Sequence, residues 1–147
     1  MAVAVELREA IGSVLPALRA AIEGAGGMWE RVPPPSAAAP AGTESGEEDW
    51  SPREVTEHVI RADYSFAGAI AAAIGGEVPE RPELALASPA EALAALERSA
   101  AVLDAAVAPL ADDQLDVQTR YERPVQWVAE LAANHRREHA QQIGAAG

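Results

Sequence analysis

The chain has 147 residues, a formal net charge of -12 and no cysteine. That length suits one ordinary domain with room for a core, and the lack of Cys excludes disulfides, thiolate metal ligands and a cysteine nucleophile. All 11 basic side chains are arginines, so the chain as a whole repels phosphate backbones and nucleic acid is disfavoured as a partner.

Hydrophobic residues make up 49% of the chain but aromatics only 4%, so the core has to form by close packing of Ala, Leu, Val and Ile. Residues 1–7 lack the basic start and long apolar run of a signal peptide. No stretch of about 18 apolar residues occurs, so no membrane span is expected. A cytoplasmic location fits these features.

The first helical pattern covers residues 3–23. Leu7, Ile11, Val14, Leu18 and Ile22 recur at spacings of three and four and define one apolar face. Pro16 removes a backbone donor and crowds the carbonyl of Gly12, which predicts a kink. Gly24, Gly26 and Gly27 end the helix. A Pro/Gly/acidic loop is expected at about 25–49, with Met28 and Trp29 pinning its start to the protein. Its acidic residues Glu44, Glu47 and Glu48 read as a solvated run.

The second helix has a clear start. Ser51 can cap it, Pro52 suits its first position, Glu54 can close a capping box, and Trp50 with Val55 can form a hydrophobic staple. It should run to about Ile74, where Gly75 and Gly76 stop it, with Val55, His58 or Val59, Ala62, Phe66 and Ile70 facing inward. Ser88, Pro89 and Glu91 mark a second capping box. The third helix then carries a seam of Leu93, Leu96, Ala100, Leu103, Val107 and Leu110. A loop at about 110–123 leads to Pro124 and a fourth helix. The stripe of that helix is Val125, Val128, Leu131, Ala132, His135, His139 and Ile143. No useful alternating strand pattern or internal repeat occurs. These elements predict an all-α, single-domain four-helix bundle over residues 1–147.

The only three histidines all fall on inward stripes. His135 and His139 are four apart, hence one turn apart on one helix face. An inward stripe covers about a third of a helix, so three histidines all fall inward by chance about once in thirty. Each imidazole needs partners for two ring nitrogens, which makes three of them poor core filler unless they share a metal. A three-histidine site keeps a coordination position open, as catalytic zinc does. Histidines that merely pack in a metal-free interaction module are the alternative.

Residues 50–58, from Trp50 through Ser51-Pro52-Arg53-Glu54 to His58, and residues 134–143, with His135-x-x-x-His139 followed by Gln142-Ile143, resemble the two signatures of the DinB/YfiT-like metalloenzyme superfamily. The helix number, order and loop positions resemble that family over nearly the whole chain. The resemblance implies an up-down-down-up bundle with a divalent metal, usually zinc or nickel, held by His58, His135 and His139. It also implies a small-molecule substrate, a low-molecular-weight thiol as cosubstrate and homodimerisation through a helix face.

The expected activity is therefore that of a metal-dependent thiol S-transferase or hydrolase, with non-catalytic metal binding or metal-stabilised structure as the second reading. Lacking Cys, the chain would have to take its thiol from a small molecule. Arg61, Arg120 and Arg123 are candidate thiol-binding cations, with ordinary surface arginines as the alternative. Glu54 is wanted for the helix cap, and Glu57 and Glu138 read as solvated, so no general base stands out. Gln142 is placed to donate a hydrogen bond beside the ligands.

Overall fold

The computed structural model describes residues 3–31 and 50–146. The helices are α1 (Ala4–Ser13), α2 (Leu15–Ala25), α3 (Pro52–Ala73), α4 (Pro89–Val107) and α5 (Val125–Ala146), with no strand among the described residues. The first predicted helix is thus two pieces that break at Val14, ahead of Pro16. The reason is the expected one: Pro16 cannot donate to Gly12, so the ladder stops there. Together α1 and α2 form one side of a four-helix bundle.

The direction of each helix follows from two core clusters. One joins Leu7 and Ile11 of α1 to Ile70 near the end of α3, Val107 at the end of α4 and Val125 at the start of α5. The other joins Ile22 of α2 to Val55 at the start of α3, Ala92 at the start of α4 and Ile143 near the end of α5. The order is therefore up, down, down, up, as the family resemblance implied.

Local chemistry sets the helix ends. At α3 both legs of the capping box form, Glu54 N–H to Ser51 Oγ and Ser51 N–H to Glu54 Oε1, each 3.2 Å. At α4 Glu91 N–H donates to Ser88 Oγ at 3.2 Å, but the Glu91 carboxylate reaches past the cap to Ala87 N–H at 2.9 Å. Gly75 ends α3 in the left-handed region, at φ 77°. Trp29 is buried and donates its indole N–H to the Leu86 carbonyl at 2.9 Å, which pins the start of the loop after α2. The expected Pro/Gly/acidic loop, with Glu44, Glu47 and Glu48, otherwise lies outside the described residues.

The α4 seam is rotated from the predicted one. Leu96, Leu103, Val107 and Leu110 are buried, but Leu93 and Ala100 are half-buried while Ala92, Ala95, Ser99 and Ala106 face inward. Small side chains let α4 approach α3 closely on that face. The 110–123 loop is ordered: it holds a short helical turn at Asp112–Gln114 and an isolated bridge between Gln118 and Pro124.

One buried network ties the bundle together. Arg136 of α5, 1% exposed, donates to Asp63 of α3 through Nε (3.1 Å) and Nη2 (2.9 Å). Its Nη1 donates to the Ile11 carbonyl of α1 at 3.1 Å. That carbonyl lies beside the break in the first helix, so the kink and the arginine satisfy each other. The Ser99 hydroxyl of α4 lies 3.0 Å from Asp63 Oδ2 and donates to it. Burial pushes the Asp63 carboxyl up, and Arg136 and Ser99 pull it back. Arg136 is four residues after Ala132 and seven before Ile143, at the edge of the α5 stripe, where its charge argued against burial. The available signal was Asp63, a lone charge on the α3 stripe between Val59 and Phe66.

Candidate metal centre

His58 lies in the first half of α3, His135 at the middle of α5 and His139 in its second half. These segments pack side by side because both stripes feed the bundle interior. The Nε2 atoms of His58 and His135 are 2.8 Å apart. The ring centroids are 4.7 Å apart for His58–His135, 5.0 Å for His58–His139 and 4.3 Å for His135–His139. One ligand atom from each can be chosen so that all lie within 4.8 Å of one another. Two nitrogens each about 2.0–2.1 Å from a zinc ion lie roughly 3 Å apart, so a small closure would let one ion meet all three.

The donor chemistry fits such an ion. Burial first, then the neighbouring His139, His58 and Arg136, hold the His135 imidazole down at about 3, so it is neutral at pH 7 and in the ligating form. His139 is buried, and its Nδ1 is 2.7 Å from Gln142 Oε1. An amide oxygen only accepts, so Nδ1 carries the proton and the ring offers Nε2 as the ligand atom. Gln142 therefore does stand beside the histidines, but it accepts where a donor was expected. His135 Nδ1 is buried without a hydrogen-bond partner among the described residues. Three packed imidazoles with an unsatisfied nitrogen make a costly core, which favours a role for them beyond filling space.

The rings are framed by aromatics. Trp50 meets His58 edge to face at 5.0 Å, and Phe66 meets His135 at 5.7 Å. Trp50 is thus both the staple residue before α3 and a wall of the site. Beside the histidines a cleft of about 550 Å³ opens to solvent. Phe66, Tyr121, Trp127 and Leu131 supply its apolar lining, and Arg61, Arg81 and Glu138 its charged lining.

The other predicted residues fall as follows. Glu54 is used by the cap of α3. Glu57 is buried, not solvated: its Oε1 accepts from Arg53 Nη1 at 2.7 Å. Glu138 is half-buried and lines the cleft, again not simply solvated. Arg61 lines the cleft, whereas Arg120 donates to the Ser65 carbonyl at 2.9 Å and lies over Tyr121. Arg123 lies over Trp127, 5.3 Å from the ring centroid. Arg81 was missed. It sits on the long connection between α3 and α4, where no periodicity links a side chain to a site.

No helix among the described residues is long and apolar enough to cross a membrane. Comparison with curated proteins gives no match, and neither does comparison with solved structures. The family model of the DinB superfamily matches residues 26–143, which take in the cap of α3, all three histidines and Gln142. With most of the chain matched and a three-histidine cluster able to hold a metal ion, the chain belongs to the DinB superfamily.

Proposed function

We propose that this protein is a divalent-metal-dependent enzyme in which His58, His135 and His139 hold the ion, zinc or nickel, and that it transfers an external thiol to a small molecule or hydrolyses one. The observation that carries this reading is the meeting of all three histidines beside a cleft wide enough for a small molecule. When bound, the ion supplies Lewis-acid chemistry, polarising a substrate or lowering the pKa of a thiol or water.

The chain's own residues do the rest. Gln142 fixes the tautomer and orientation of His139. Trp50 and Phe66 hold the rings edge-on and keep water from their sides. Phe66, Trp127 and Leu131 offer an apolar wall to the substrate's body. Glu138 is the carboxylate in the cleft and accepts the proton that a thiol or water gives up.

The test starts with protein purified without a His-tag. Mass-spectrometric metal analysis should find about one ion per chain, with ligand nitrogens about 2.0–2.1 Å away by X-ray absorption. His58→Ala, His135→Ala and His139→Ala should each lose tight binding. Unchanged metal content in the triple variant would sink the site. A panel of thiols and electrophiles, with and without metal, then tests turnover. Metal binding with no turnover would leave a non-catalytic metal-binding protein.

A further inference from the structure

We propose that the cleft takes an organic oxyanion, a carboxylate or phosphate ester, whose charged end sits on Arg61 and Arg81 and whose apolar body lies against the cleft's aromatic side chains. This names the class of small molecule and rests on the reading of the cleft as a substrate site.

The charge distribution is the first observation. The chain carries 23 acidic residues against 11 arginines, so anions are repelled from most of its surface. Yet Arg61 and Arg81 line this cleft, and Arg120 and Arg123 stack on Tyr121 and Trp127, two of its lining residues. Cations gathered at one concave site focus an attractive potential there despite the net charge.

The second observation is what those arginines lack. Arg8, Arg53 and Arg136 are held by carboxylates at 2.7, 2.7 and 2.9 Å. Arg81 has no hydrogen-bond or ion-pair partner among the described residues. Arg61 makes only a long ion pair, 3.6 Å, to Glu57 Oε2, while Arg53 holds the other oxygen of that carboxylate at 2.7 Å. Both arginines also line an adjoining hollow with Pro82, Glu83 and Leu84, so they stand at the same edge of the cleft. Two planar donor forks at one edge suit an oxyanion.

The third observation is the aromatic lining that the cleft shares with the arginines and the histidines. Phe66, Tyr121 and Trp127 line the cleft in a chain with only 3 Trp, 2 Tyr and 1 Phe. Tyr121 and Trp127 are 37% and 38% exposed, so part of each is open to an apolar ligand body. Glu138 adjoins His139 and lines the same cleft, so in the metal-free chain the arginine edge and not the histidine side attracts an anion. Arg61 is three residues beyond His58 on α3, so the helix that carries the first histidine also carries the first arginine of the cleft.

The experiment is calorimetric titration of the full chain, freed of metal by chelation so that no ion can bind the probe directly. The probes are phenylacetate, phenyl phosphate and the neutral 2-phenylethanol. At least one anion should bind about tenfold or more tightly than the alcohol, and the tighter of the two identifies the headgroup. The double variant Arg61→Gln/Arg81→Gln should lose that preference and keep the weak binding of the alcohol. Equal binding of anions and alcohol, no anion binding, or a preference that survives in the double variant would overturn the proposal. Anion preference in a chain that takes up no metal supports it and removes the metal-enzyme reading. Metal uptake without anion preference does the reverse.

Discussion

Replacing Arg136 by Met should be among the most destabilising changes in this protein. Arg136 is 1% exposed, and it donates twice to Asp63 and once to the Ile11 carbonyl. Methionine fills much of the same volume but leaves the Asp63 carboxylate buried with the Ser99 hydroxyl and the Ile11 carbonyl without its donor. Breaking a buried pair by removing one partner costs about 3–5 kcal/mol. At roughly 2–4 °C per kcal/mol for a domain near this size, Tm should fall by roughly 6–20 °C. Asp63→Ala should cost a similar amount, because it strands the arginine. The double variant should be less destabilised than the two losses added, since two apolar groups replace the pair. Urea unfolding followed by far-UV circular dichroism, run as a double-mutant cycle, measures the coupling. Single losses below about 1 kcal/mol with no coupling would mean that the pair is solvated, and the argument that it clamps the bundle would fail.

Three further outcomes follow from the same geometry. In metal-free protein the unfolded chain protonates His135 near 6.5 while the folded chain holds it down to about 3, so stability should fall as pH drops through that window, by up to about 4–5 kcal/mol. His135→Leu should flatten this slope in pH-dependent urea unfolding, and an unchanged slope would remove His135 as its source. Chelation should leave the helical circular dichroism intact, because both core clusters form without the histidines, and should lower Tm by roughly 5–10 °C for a metal present at about 100 Kd. Collapse to random coil would make the metal structural. At Gly68 an added Cβ would lie 3.2 Å from Arg120 Nη2, the end of a flexible side chain. Gly68→Ala should therefore displace Arg120 from the Ser65 carbonyl yet change stability by no more than about 1 kcal/mol, helix propensity offsetting the lost bond. A loss above about 2 kcal/mol would show that Arg120 cannot yield.

Legibility in the sequence followed the range of the interactions. Elements set by neighbours along the chain could be read directly. Ser51, Pro52 and Glu54 announce the start of α3, Gly75 its end, and Pro16 the break between α1 and α2, because each acts within one turn. The inward placement of His58, His135 and His139 was legible for the same reason, since helical periodicity relates each to the apolar residues around it. Their meeting across two helices was not, because nothing local fixes the rotation of α3 against α5. It was argued indirectly, from the partners that three inward imidazoles require, and then from the family resemblance.

What stayed hidden depends on tertiary contacts between residues that read as polar surface. Arg136 is four residues after Ala132 and seven before Ile143, at the edge of the α5 stripe, but its charge made it read as polar surface beside Arg137. The structure separates them: Arg137 donates to Asn134 at 2.7 Å on the surface, while Arg136 crosses the interior to α3 and α1. The difference arises because α5 packs against α1 and α2 as well as α3, so more than one stripe of it is buried. A lone aspartate on the α3 stripe was the visible half of this arrangement, since a buried charge requires a partner. Glu57 follows the same logic, because its burial depends on Arg53 one turn earlier and not on the apolar pattern. The consequence for function is physical. Arg136 is covalently next to His135 and tied through Asp63 to the helix that carries His58. The clamp that fixes α5 against α3 therefore also sets the register in which the three imidazoles meet.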